Sequence, residues 1–126
     1  YNSNPLSLEF AIRNFDSLKF NSQRKYLFLG DMLEMGKLSK ILHKNIAKII
    51  NKTSIDKVYV YGKDIKETFY AISPDKRGKI LSNINEIYNL IKNDLNNNDY
   101  LMIKGSNSTG LNKFVSKIKK EKINAL

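Results

Sequence analysis

The amino-acid sequence predicts a single α/β domain built on a doubly wound, mostly parallel sheet with helices on both faces. Three observations lead there. Short apolar runs at Tyr26-Leu27-Phe28-Leu29, Val58-Tyr59-Val60-Tyr61 and Tyr100-Leu101-Met102-Ile103 lack polar alternation, as expected of strands covered on both sides. The segments between them carry apolar residues at helical spacing. Gly30, Gly62 and Gly105 stop the runs, so loops open at the carboxyl end of the strands, where open α/β folds hold ligands.

Each element follows from local chemistry. Asn4 followed by Pro5 is a helix start, because proline pushes its predecessor out of the helical region and an Asn side chain can cap free amides. Leu8, Ala11, Ile12, Phe15 and Leu18 then predict a helix from Pro5 to Lys19, closed by a turn at Asn21-Ser22. The first strand runs into a glycine-bounded loop, Gly30 to Gly36, that carries Asp31 and Glu34. A second helix is expected from Lys37 to Asn51, with Leu38, Leu42, Ile46, Ile49 and Ile50 towards the core. His43, the only histidine, is read as a boundary residue beside that stripe.

The second strand is followed by a helix from Asp64 to Ile72, with Ile65, Phe69 and Ile72 on one face. Pro74-Asp75-Lys76-Arg77-Gly78 reads as a loop and Lys79-Ile80-Leu81 as a short third strand. Ile84, Ile87, Tyr88, Ile91 and Leu95 make one helical stripe. Asn96-Asn97-Asn98 breaks it before the fourth strand. A small polar loop from Lys104 to Gly110 leads to a last helix carrying Leu111, Phe114, Val115 and Ile118. Strand and helix in strict alternation define a Rossmann-like, doubly wound architecture.

Composition narrows the function. The 126 residues suit one domain with a substantial core. No cysteine is present, which removes disulfides, thiolate metal sites and a cysteine nucleophile, and suits a reducing compartment. No apolar run approaches the roughly 18 residues of a membrane span, and the polar start at Tyr1 is no signal peptide. The formal charge of +10 favours anionic partners, but the lysines are spread over almost every helix. That spread points to a solvated basic surface before a nucleic-acid stripe.

Two loops carry candidate chemistry. Gly105 to Gly110 has the G-x-x-x-x-G spacing of a phosphate loop, yet Leu111 and Asn112 stand where that motif needs Lys and then Ser or Thr. The loop could still cradle a carboxylate or phosphate with backbone amides, Lys104, Ser106, Ser108 and Thr109. Equally, Ser108 or Thr109 could simply cap the last helix. Asp31 and Glu34 are open to a binding role or to service as turn and cap residues. A lone histidine is a poor metal site, no metal cluster is expected, and no G-x-G-x-x-G follows any strand.

Three blocks go further: Tyr1-Asn2-Ser3-Asn4-Pro5, Leu29-Gly30-Asp31-Met32-Leu33-Glu34-Met35-Gly36 and Ile103-Lys104-Gly105-Ser106. In order and separation they resemble signatures of the C-terminal domain of the Mur ligase family, of the UDP-N-acetylmuramoyl-tripeptide:D-alanyl-D-alanine ligase type (MurF). Leu42-His43 resembles a Leu-His that the family carries in the following helix. The resemblance implies a fragment of a three-domain, ATP-dependent amide-bond-forming ligase of peptidoglycan synthesis, expected to be inactive by itself. ATP phosphorylates the tripeptide carboxylate, and the dipeptide amine displaces phosphate from the acyl phosphate. ATP and Mg2+ would be bound mainly by an absent central domain, and the UDP end by an absent N-terminal domain.

By the same resemblance, Tyr1, Asn2, Ser3 and Asn4 would lie at a hinge near the ATP ribose. Asp31 and Glu34 would face the interdomain cleft and hold the dipeptide's ammonium group. Lys104, Ser106, Ser108 and Thr109 would meet its carboxylate or the departing phosphate, and no catalytic residue falls within the fragment. Asn107 replaces a usual arginine, which leaves open the group that pairs with the dipeptide carboxylate. Expected partners are D-alanyl-D-alanine, UDP-N-acetylmuramoyl-tripeptide, ATP and the enzyme's own other domains, in a cytoplasmic monomer without nucleic acid. The alternatives are a stand-alone small-ligand or nucleic-acid binding module, and a related ligase for another amino-acid nucleophile.

Overall fold

The computed structural model describes residues 5–18, 24–32, 36–83, 85–96 and 99–105. Four strands, β1 (Lys25–Gly30), β2 (Lys57–Tyr61), β3 (Arg77–Ile80) and β4 (Tyr100–Lys104), form one sheet in the order β3-β2-β1-β4. All three pairings are parallel. The central strand β1 is buried from Tyr26 to Gly30, which accounts for its unbroken apolar run.

Helices α1 (Pro5–Ser17), α2 (Ser39–Asn51) and α3 (Lys66–Ala71) share one core with one face of the sheet. Leu8, Ile12 and Phe15 of α1 meet Leu27, Leu29, Val58 and Val60 there, together with Ile46, Ala47 and Ile50 of α2. Helix α4 (Asn85–Asn93) covers the opposite face, where Ile87 packs with Tyr26, Phe28, Tyr59 and Leu81. The alternating inward residues of β1 therefore feed two cores: Leu27 and Leu29 one, Tyr26 and Phe28 the other. The doubly wound sheet with helices on both faces is the fold class that the sequence predicts.

Local departures have physical causes. The first helix stops at Ser17, whose hydroxyl donates to the Asn14 carbonyl at 2.7 Å, and Leu18 is left 42% exposed. Leu38 occupies a 3₁₀ turn, Gly36–Leu38, ahead of α2 and is 57% exposed rather than in the core. His43 is fully buried, not at the boundary. The third strand begins at Arg77, and Gly78 is a strand residue rather than a loop residue. Its missing side chain is what the packing requires, since a Cβ there would stand 2.4 Å from the Tyr59 ring. The expected last helix and the loop beyond Gly105 lie outside the described residues.

The edge of the sheet at the strands' amino ends is pinned by carboxylates. Asp16, at the end of α1, accepts hydrogen bonds from the Ser54 amide and hydroxyl, both at 2.7 Å. Asp99 accepts from Arg24 Nη2 at 2.9 Å and from the Asn96 amide at 2.9 Å. Burial raises both carboxyl pKa values, but the hydrogen bonds and neighbouring cations outweigh it. Both end below the usual carboxylate value.

Candidate functional site

In the order β3-β2-β1-β4, the chain steps outward from β1 to β3 and then crosses to the other side of β1. The switch point lies between β1 and β4, and the crevice outside the carboxyl ends of strands at such a point is where these sheets take ligands. Leu29 is in register with Lys104, so Gly30 and Asp31 on one side and Gly105 on the other crown the same rim. The strand ends from which the two turns depart are thus neighbours, with residues 75 positions apart in the chain paired across one strand pair.

Asp31 is partly buried and heavily engaged. Its Oδ2 accepts the Lys63 amide at 3.0 Å and its Oδ1 the Ile65 amide at 2.7 Å, both from the loop between β2 and α3. Gly62 lies directly against this carboxylate, with a φ of +138° and an ideal Cβ position 2.5 Å from Oδ1. Lys104 ends β4 and is partly buried. Tyr1, Asn2, Ser3, Asn4, Glu34, Ser106, Ser108 and Thr109 lie outside the described residues.

Motif reading missed a polar chain beside this rim. Ser39, at the start of α2, donates to Asp64 Oδ2 at 3.2 Å and lies 3.3 Å from His43 Nδ1. His43 Nδ1 is 2.7 Å from the Ser39 carbonyl, a geometry that puts the ring proton on Nδ1. His43 Nε2 is buried without a hydrogen-bond partner. Thr68 donates its hydroxyl to the His43 carbonyl and so ties α3 to α2. The i, i+4 spacing of Ser39 and His43 was the available signal, but nothing in the sequence brings Asp64 to Ser39.

Among the described residues, no group of three His, Cys, Asp or Glu side chains could hold a metal ion. None of their helices is long and apolar enough to cross a membrane.

The fold and the rim define a class, a Rossmann-like α/β domain with Gly30-Asp31 and Gly105 meeting at the β1/β4 switch point. The chain belongs to the Mur ligase family: the model described as "Mur ligase, glutamate ligase domain" matches residues 1–107. Its relatives include the UDP-N-acetylmuramoyl-tripeptide–D-alanyl-D-alanine ligase of Buchnera aphidicola, 33% identical over 123 residues, 96% of this chain and 25% of that protein. The enzyme of the same name from Bacillus subtilis is 43% identical over 63 residues, 50% of this chain and 14% of that protein. The chain thus spans a quarter or less of these relatives' length.

Solved structures agree on the fold. The MurF ligase of Thermotoga maritima, determined in complex with ADP, matches with a TM-score of 0.76 at 21% identity, over 100% of this chain and 28% of that one. MurF from Acinetobacter baumannii gives 0.76 at 18% identity, over 95% of this chain and 27% of that one.

Proposed function

We propose that this chain is the C-terminal domain of a cytoplasmic, ATP-dependent ligase that joins D-alanyl-D-alanine to UDP-N-acetylmuramoyl-tripeptide. The observation that carries the reading is the shared rim, where Lys104 closes β4 beside the Gly30-Asp31 end of β1. The names of the relatives supply the substrates, and the family membership supplies the reaction class.

In the reaction, the tripeptide carboxylate takes the terminal phosphoryl group of ATP, leaving ADP. The dipeptide nitrogen then attacks the acyl carbon, loses its proton, and inorganic phosphate departs with the former carboxylate oxygen. An acyl phosphate is open to hydrolysis, so a domain that closes over it protects the intermediate. Bringing amine and acyl carbon together is a large share of the rate gain. In this scheme Lys104, Ser106, Ser108 and Thr109 receive the dipeptide carboxylate or the departing phosphate, Glu34 and Asp31 form the facing loop, and Tyr1 to Asn4 approach the nucleotide.

Among the described residues no three ligating side chains come together to hold Mg2+. In this reading the ion would be held mainly by the enzyme's central domain, and no step here is routed through it. The test is the full-length protein that carries this chain. It should release phosphate in step with amide formation from D-alanyl-D-alanine, and Lys104→Ala should lower kcat/KM about 10- to 100-fold, the scale of one charged hydrogen bond. Consumption of a different amine, or no dipeptide-dependent phosphate release, refutes the assignment.

A further inference from the structure

The connection from β1 to α2 is fastened at both ends to a single short loop. At its start, Asp31 takes the amides of Lys63 and Ile65 on its two carboxylate oxygens. At its end, Ser39 donates to Asp64 of the same loop. Gly62 seals the first junction, because its backbone lies so close to the Asp31 carboxylate that no side chain fits between them.

Charge-assisted bonds of this kind are about twice as strong as neutral ones, and two parallel ones fix direction as well as distance. Two of the roughly four acceptor positions of the Asp31 carboxylate are thereby committed to the main chain, which fixes its orientation before any substrate arrives. Moreover, the attacking amine must reach the acyl carbon unprotonated, whereas a carboxylate partner favours the charged form.

We propose that Asp31 is a positioning residue for the amide-forming reaction: it holds the 62–65 loop and the β1 turn as one rigid section of the rim and does not itself pair with the incoming amine. The assignment rests on the ligase reading above. A displacement of about 1 Å at such a rim can cost about 100-fold in rate without changing what binds.

The experiment uses the full-length ligase. Asp31→Asn presents an NH2 group to one of the two amides, and Asp31→Glu is too long for the space against Gly62. Both should lower kcat at least about tenfold and leave KM for D-alanyl-D-alanine within about twofold. Hydrogen exchange of peptides spanning 62–66 should quicken at least about tenfold in Asp31→Asn, while those spanning 57–61 keep their protection. Gly62→Ala, which displaces the carboxylate without removing it, should reproduce both changes. Unchanged exchange over 62–66, or a tenfold rise in KM with kcat intact, overturns the proposal. An unmutated protein that forms no amide overturns the ligase reading and this role with it, while the exchange result still reports whether the clamp exists.

Discussion

At the scale of single residues, Gly62 and Asp31 show how a backbone choice sets a side chain's task. Only glycine tolerates a φ of +138° at low cost, and only glycine leaves space for the carboxylate. Gly62→Ala should therefore cost about 1–3 kcal/mol, seen as a lower urea midpoint with an unchanged slope. An unaltered midpoint would mean that neither the positive φ nor the Asp31 carboxylate resists a Cβ at this position. The acid at Asp31 was legible in the sequence, but its partners were not, because Lys63 and Ile65 reach it through backbone amides that carry no sequence signature. His43 teaches the same point. Its place beside the apolar stripe suggested a boundary, whereas the Nδ1 contact with the Ser39 carbonyl lets the ring enter the core.

At the scale of elements, helices are held by their apolar stripes and the sheet's amino edge by carboxylates. Ile12, at 0% exposure in the middle of α1, packs where the helix meets the sheet. Ile12→Ala should cost about 2–5 kcal/mol, measured by denaturant unfolding, because the rigid strands beneath it cannot collapse into the cavity. Asp16 and Asp99 add a pH dependence. Their folded carboxyls bind a proton less readily than the unfolded value of 3.8, so the native state holds fewer protons. The stability they contribute is complete above that value and is lost as pH falls through the lower folded values. The melting temperature should drop on acidification below about pH 4. Asp16→Asn with Asp99→Asn should lower it by a few degrees at neutral pH and flatten the acid limb. An acid limb as steep in the double variant as in the parent would place the responsible groups elsewhere. Helix spacing was readable for α1, α2 and α4. The start of β3 was not, because Gly78 looks like a turn in the chain and acts as a seat for the Tyr59 ring in the fold.

At the scale of the molecule, the sheet order decides where chemistry can happen. With β1 central and β4 returning to its free side, the strand ends at Gly30 and Gly105 become neighbours. The proposed ligase role would use that arrangement, because one substrate must be met from several loops at once while water is excluded. Under the proposed function, the +10 charge would add a general field for anionic substrates, worth more at low salt than high. Raising ionic strength should increase KM for the nucleotide-linked tripeptide in the full-length ligase more than for the zwitterionic dipeptide. Equal effects on both would remove that role for the surface charge.

The sequence by itself determined the α/β class, the strand and helix succession as far as β4 and the family, because apolar periodicity and short glycine-bounded blocks are written locally along the chain. It also indicated that ligand loops would gather at the strands' carboxyl ends. Only the tertiary structure decided which loops share a wall. That depends on strand order and register, and on backbone amides from Lys63 and Ile65 that any residue type could have supplied. Partner choice across a sheet is made by packing and main-chain hydrogen bonds rather than by side-chain identity, so Asp31 could be seen in the sequence while the loop it holds could not.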